Sequence, residues 1–65
     1  MTNQKLIKKV LEREKAEGRS WPNNLGGREI DKIFGRELNP EEWLDFNLGY
    51  EEVAPKKLLH PALRR

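Results

Sequence analysis

The sequence contains no cysteine and a single histidine, His60. Disulfide bridges and Cys-containing zinc sites are therefore excluded, and we expect neither a metal nor a cofactor because the other ligand residues lack metal-binding spacing. Uninterrupted apolar runs are never longer than two residues, whereas a membrane-spanning helix needs roughly 20. The first residues also lack the apolar run of a signal peptide, so we expect a cytoplasmic location and no contact with a membrane.

Residues suited to catalysis are few as well. Ser20 is the only serine, and no histidine lies near it in sequence. The acidic pairs at 41–42 and 51–52 consist of adjacent residues, whose side chains diverge on a helix, so neither pair forms an acid–base dyad by spacing. A chain of 65 residues also has little room for an ordinary substrate pocket. We therefore predict that the protein is not an enzyme.

What the sequence does contain is a set of aromatic residues in a highly charged chain. Charged residues make up 37% of the sequence, which raises the question of disorder. Disordered chains usually lack aromatic residues, and this chain has Trp21, Phe34, Trp43, Phe46 and Tyr50. A chain this short buries only about 60% of its unfolded surface, so we predict one small domain over residues 1–65, as a monomer or a small homo-oligomer.

The spacing of apolar residues predicts an all-α fold, a small three-helix domain followed by an irregular C-terminal segment. The first helix is predicted over about 3–17, with Thr2 or Asn3 as its cap. Because Glu14 and Glu17 lie on the same side of the helix as its apolar stripe, we expect the last turn to face solvent. That stripe consists of Leu6, Ile7, Val10 and Leu11.

The second helix is predicted over about 28–38 and the third over about 40–48. Asn39 at the N-cap and Pro40 at the first helical position mark the start of the third helix, and Gly49 is expected to end it. A helix whose apolar residues spread over more than half of the helical wheel needs cover from two sides, so it is either the central element or part of an interface. The residues that spread in this way are Trp43, Leu44, Phe46 and Leu48.

The segments outside the helices are predicted to be irregular. Residues 19–27 combine proline, asparagine and glycine, which is typical of a loop, and we expect Trp21 and Leu25 to fold inward from it. Two prolines bracket residues 56–60 and leave room for at most one helical turn. We therefore predict a loosely ordered tail over 56–65.

Charges are sorted along the chain. Residues 1–20 hold six basic and three acidic side chains, residues 39–55 hold five acidic side chains and no Lys or Arg, and residues 56–65 hold four basic side chains. Such sorting indicates either complementary surfaces within the molecule or surfaces that meet a charged partner.

These observations lead to the hypothesis of a small regulatory or adaptor protein that binds a larger protein. The predicted surface is the third helix with the segment that follows, because aromatic side chains there are rimmed by acidic ones that suit a basic partner. The residues assigned to this partner-binding surface are Asp45, Phe46, Tyr50, Glu51 and Glu52.

The alternative hypothesis is DNA or RNA binding by a basic surface on the first helix and the C-terminal tail. This surface would comprise Lys5, Lys8, Lys9, Lys56, Lys57, Arg64 and Arg65. The second and third helices resemble a helix-turn-helix only in layout. In that motif the third helix of this chain would enter the DNA groove, and its Glu41, Glu42 and Asp45 would be repelled by the phosphates.

Overall fold

The computed structural model describes residues 4–63, and the predictions for Thr2, Asn3, Arg64 and Arg65 lie outside these residues. Within 4–63 the chain forms three α-helices and no β-strand: α1 is Gln4–Ala16, α2 is Gly27–Phe34 and α3 is Pro40–Val53. Two 3-10 turns follow, Lys56–Leu58 and Pro61–Leu63. The predicted all-α three-helix fold is confirmed.

The hydrophobic core lies where α1 packs against both α2 and α3. Every segment before the C-terminal turns contributes to it, and its buried members are Leu6, Ile7, Val10, Leu25, Ile30, Leu38 and Phe46. Full burial of one such side chain contributes roughly 1.5–3 kcal/mol, which makes this set the main source of stability. The inward position predicted for Leu25 is confirmed.

Helix α2 is shorter than the predicted range of 28–38 because Gly35 ends it. Gly35 adopts a left-handed conformation with φ +99°, and its backbone N–H donates to the carbonyl oxygen of Asp31 at 2.8 Å. Leu38 still reaches the core from outside the helix. Its backbone N–H donates to the Asp31 carboxylate at 3.1 Å, so Asp31 accepts from two residues of the connection, Gly35 and Leu38.

Helix α3 begins as predicted. The Asn39 side chain accepts from the backbone N–H of Glu42 at 2.9 Å, the Glu42 carboxylate accepts from the backbone N–H of Asn39 at 3.1 Å, and Pro40 occupies the first turn. Arg36 adds two hydrogen bonds to the same carboxylate, at 2.7 and 2.8 Å. These bonds from Arg36 and from the Asn39 backbone hold the pKa of Glu42 below its usual value.

The predicted end of the third helix at residue 48 is wrong, because α3 continues through Gly49 to Val53. Gly49 is buried, and it lines the same groove as Ile7 and Leu11 of α1. The helix ends where Ala54 turns to an extended conformation, since the residue before a proline is disfavoured in the helical region.

The tail is more ordered than predicted over its described part, residues 56–63. Leu58 and Leu59 are buried, and the Lys57 carbonyl accepts from the backbone N–H of Trp21 at 2.8 Å. Trp21 itself is 38% exposed and meets His60 edge-on at 5.0 Å between ring centroids. The expectation that Trp21 folds into the core is therefore wrong, and its contact is with the tail.

Candidate functional site

A buried carboxylate organises the interior beside α3. Glu14 is 1% exposed, and it accepts hydrogen bonds from the Tyr50 hydroxyl at 2.8 Å and from the backbone N–H of Leu25 at 3.1 Å. The expectation that the last turn of α1 faces solvent is therefore wrong at Glu14. Its carboxylate can be buried because these two donors supply the hydrogen bonds that water would otherwise provide.

Asn24 extends this network to the C-terminal turns. Its side-chain amide donates to the Tyr50 hydroxyl oxygen at 3.1 Å and to the Leu58 carbonyl at 2.8 Å. Burial, and then the hydrogen bond to Glu14, raise the pKa of Tyr50 above its usual value, so the hydroxyl stays neutral and continues to donate. A single hydrogen-bonded cluster thus joins α1, the loop before α2, α3 and the tail.

The predicted partner-binding residues divide between the two sides of α3. Phe46 is 3% exposed and lies between Trp43 and Tyr50, with ring centroids 5.9 and 5.6 Å away, so the core uses it. Tyr50 points inward to Glu14 in the same way. Among the other three, Asp45 is half-buried, and Glu51 and Glu52 are exposed.

The exposed side of α3 carries apolar residues that the sequence hypothesis left out of the site. Leu44 is 60% exposed and Leu48 is 55% exposed, one helical turn apart. Leu48, Leu63, Glu51 and Glu52 surround a shallow depression of about 450 Å³. We call the set Leu44, Leu48, Leu63, Glu51 and Glu52 the outer α3 face. The signal in the sequence was the wide apolar arc of this helix, which is too wide for one core to cover.

A groove of about 920 Å³ lies on another side of the molecule, between α1, the end of α3 and the first 3-10 turn. Its apolar lining comes from Ile7, Leu11, Val53, Pro55 and Leu58. Its charged edge contains the basic residues Lys8, Lys15, Arg19 and Lys57 and the acidic residues Glu12 and Glu52. We call this the α1/α3 groove.

The residues of the nucleic-acid hypothesis are only partly brought together. Lys8 and Lys57 line the α1/α3 groove. Lys5 and Lys9 are exposed on α1 but do not line it, and Lys56 lies at the depression of the outer α3 face.

The described part of the chain has neither a metal-holding cluster nor a membrane-spanning helix. Within residues 4–63, no three His, Asp or Glu side chains come together in a way that could hold a metal ion. The helices over these same residues are too short or too polar to traverse a lipid bilayer.

Comparisons with protein-family models, with curated proteins and with solved structures gave no match for this chain. Its function therefore has to be argued from its own geometry.

Proposed function

We propose that this chain is a small non-enzymatic adaptor that binds a larger protein through the outer α3 face. The observation that carries this proposal is the exposure of Leu44 and Leu48, at 60% and 55%, on a chain with only 35% hydrophobic residues. Two large apolar side chains one turn apart, with a third at Leu63, form an anchor that a partner can cover.

Helix α3 is suited to presenting this anchor because its opposite side is fixed. Phe46 and Tyr50 hold the helix to the core, and the Asn39 capping box fixes its first turn. A rigid helix with leucines at i and i+4 binds with little loss of conformational entropy, as in helix-in-groove recognition.

The charge around the anchor defines the partner. Residues 39–55 contain no Lys or Arg, and the exposed Glu51 and Glu52 outnumber Lys56 around the depression beside Leu48. A fitting partner therefore offers an apolar groove with Lys or Arg at its edge, because opposite charges at the rim guide association and select the register.

The test compares the wild-type chain with the double variant Leu44→Gln and Leu48→Gln in affinity capture, followed by titration of the purified partner. We expect the double variant to lose at least about tenfold in affinity, because truncating an apolar anchor removes a large share of binding energy. The matched control is Lys32→Gln, which alters an exposed residue of α2. Unchanged affinity in a folded double variant would refute the proposal.

Nucleic-acid binding is the second candidate function, and one observation favours it: Lys8 and Lys57 line the same groove. Glu12 and Glu52 at that groove oppose it, since carboxylates repel phosphates. The candidate predicts binding of a single-stranded or duplex oligonucleotide that weakens steeply with salt and is lost in Lys8→Glu. Absence of binding at low salt would exclude it.

A further inference from the structure

The α1/α3 groove is a second surface, which the adaptor function through the outer α3 face does not use. We infer that this groove binds an acidic amphipathic helix of a second protein, so that the chain bridges two partners of opposite charge. The apolar floor and the lysines of the groove lie outside the outer α3 face, and of the described residues only Glu52 belongs to both surfaces. The bridging role rests on the proposed function, whereas peptide binding by the groove does not.

The groove has an apolar floor that a helix can cover. Ile7 and Leu58 are buried and close its bottom, whereas Leu11 is half-buried and Val53 is 59% exposed, so these last two present accessible apolar surface. Gly49 also lines the groove and adds no side chain to it. Covering Leu11 and Val53 with apolar side chains would remove them from water.

The edge of the groove selects acidic ligands. Lys8 and Lys15 are exposed on α1. They are seven positions apart in the sequence, which corresponds to about 10.5 Å along the helix axis. Lys57 lies at the same groove, while Arg19 already bonds Glu17 at 2.6 Å. Lys8 and Lys15 are therefore the two cations that a ligand's carboxylates would meet.

Glu12 narrows the charge pattern expected of the ligand. It lies between Lys8 and Lys15 in sequence and lines the same groove, so a ligand carboxylate opposite Glu12 would be repelled. A ligand with two carboxylates about two helical turns apart, and none between them, matches this order of charges. The groove suits a peptide better than a nucleic acid, because its floor is apolar and none of its lining residues is aromatic, so it offers no surface on which bases could stack.

The test uses a fluorescein-labelled peptide of about fifteen residues, stabilised as a helix, with a leucine stripe and two glutamates seven positions apart. Binding to the full chain is followed by fluorescence anisotropy at several salt concentrations. One control peptide has the same composition with the leucine stripe scrambled, and another has lysine in place of both glutamates.

Variants of the chain locate the binding site. We expect Lys8→Glu with Lys15→Glu, and separately Val53→Asp, to weaken peptide binding at least about tenfold. The matched control is Lys5→Glu with Lys9→Glu, the same charge change on exposed residues of α1 outside the groove, with an expected effect below about twofold. Far-UV circular dichroism checks that each variant is folded.

Four results would overturn the inference. They are no saturable binding of the designed peptide, equal binding of the scrambled peptide, equal loss in the Lys5 and Lys9 control, and tighter binding of an oligonucleotide that displaces the peptide. A Val53→Asp effect on self-association in sedimentation, without an effect on the peptide, would assign the groove to a second copy instead.

The outcome for the groove is separable from the outcome for the proposed function. Leu44→Gln with Leu48→Gln should leave peptide binding unchanged, because neither leucine lines the groove. Failure of the adaptor proposal would appear as unaltered partner affinity in that variant, whereas failure of the groove inference would appear only in the peptide titration. Equal loss of peptide binding in the leucine variant would overturn the claim of two separate surfaces.

Discussion

Phe46 and Leu48 stand two residues apart on α3 and are both large apolar side chains, yet Phe46 is 3% exposed and Leu48 is 55% exposed. The difference comes from the surroundings of the helix. Its inner side packs against α1, where Tyr50 of α3 donates to the buried Glu14, whereas no described element covers Leu44 and Leu48. Hydrophobicity alone therefore does not place a residue in this core. The inner side of α3 stabilises the fold, and we propose that its outer side binds a partner.

The largest expected effect is on the inner side. Phe46→Ala should lower the free energy of unfolding by about 3–5 kcal/mol, because it leaves a cavity beside Trp43 and Tyr50. A domain of this size has a total stability of only about 3–10 kcal/mol, so Phe46→Leu serves as a milder variant. Urea denaturation of both variants measures the effect. If Phe46→Ala changed the free energy of unfolding as little as we expect for Leu44→Gln, the division between the two sides of α3 would be wrong.

Removal of the buried carboxylate should have the next largest effect. Glu14→Ala leaves the Tyr50 hydroxyl and the Leu25 N–H without their acceptor, which should lower the free energy of unfolding by about 2–3 kcal/mol. Glu12→Ala is the control, because Glu12 is exposed on the same helix. Thermal and urea unfolding of both variants give the comparison, and similar losses would mean that the network is not stabilising.

The Tyr50 hydroxyl should also make stability depend on alkaline pH. Its pKa is raised in the folded chain, so above the ordinary tyrosine value of about 10 the unfolded chain releases a proton that the folded chain retains. The contribution of the Tyr50 hydroxyl to the free energy of unfolding is fully present below about pH 10 and falls as the pH rises further. Urea midpoints from pH 9 to 11 should decline more steeply for wild type than for Tyr50→Phe, and parallel profiles would contradict this.

The smallest expected effect on stability belongs to the outer α3 face. Leu44→Gln and Leu48→Gln should each change the free energy of unfolding by no more than about 0.5 kcal/mol, because neither side chain is buried. Their urea midpoints should match that of Lys32→Gln within error. A loss of several kcal/mol in either variant would place that leucine in the core and remove it from the binding face.

Local signals in the sequence located much of this fold. The start of α3 followed from Asn39 and Pro40, and the core side of α1 followed from the spacing of its apolar residues. The range given for α2 was too long because Gly35, a natural helix end, was placed inside it. Gly49 had the opposite outcome, because it was expected to end α3 and is instead a buried residue within that helix.

The remaining errors concern contacts between residues that are distant in sequence. Glu14 is buried because Tyr50, 36 residues away, bonds to it, and no periodicity in α1 contains that information. The same limit applies to the candidate site. The helical wheel of α3 showed an excess of apolar residues, but which of Phe46 and Leu48 faces the core depends on where α1 lies.

Asn24 also bears on how the molecule assembles during its synthesis. Its amide bonds to the Leu58 carbonyl, 34 residues further along the chain, and it shares the Tyr50 hydroxyl with Glu14. The polar interior cannot close until residue 58 has left the ribosome. The complete network therefore forms only after all three helices have been synthesised, and the domain folds as a unit.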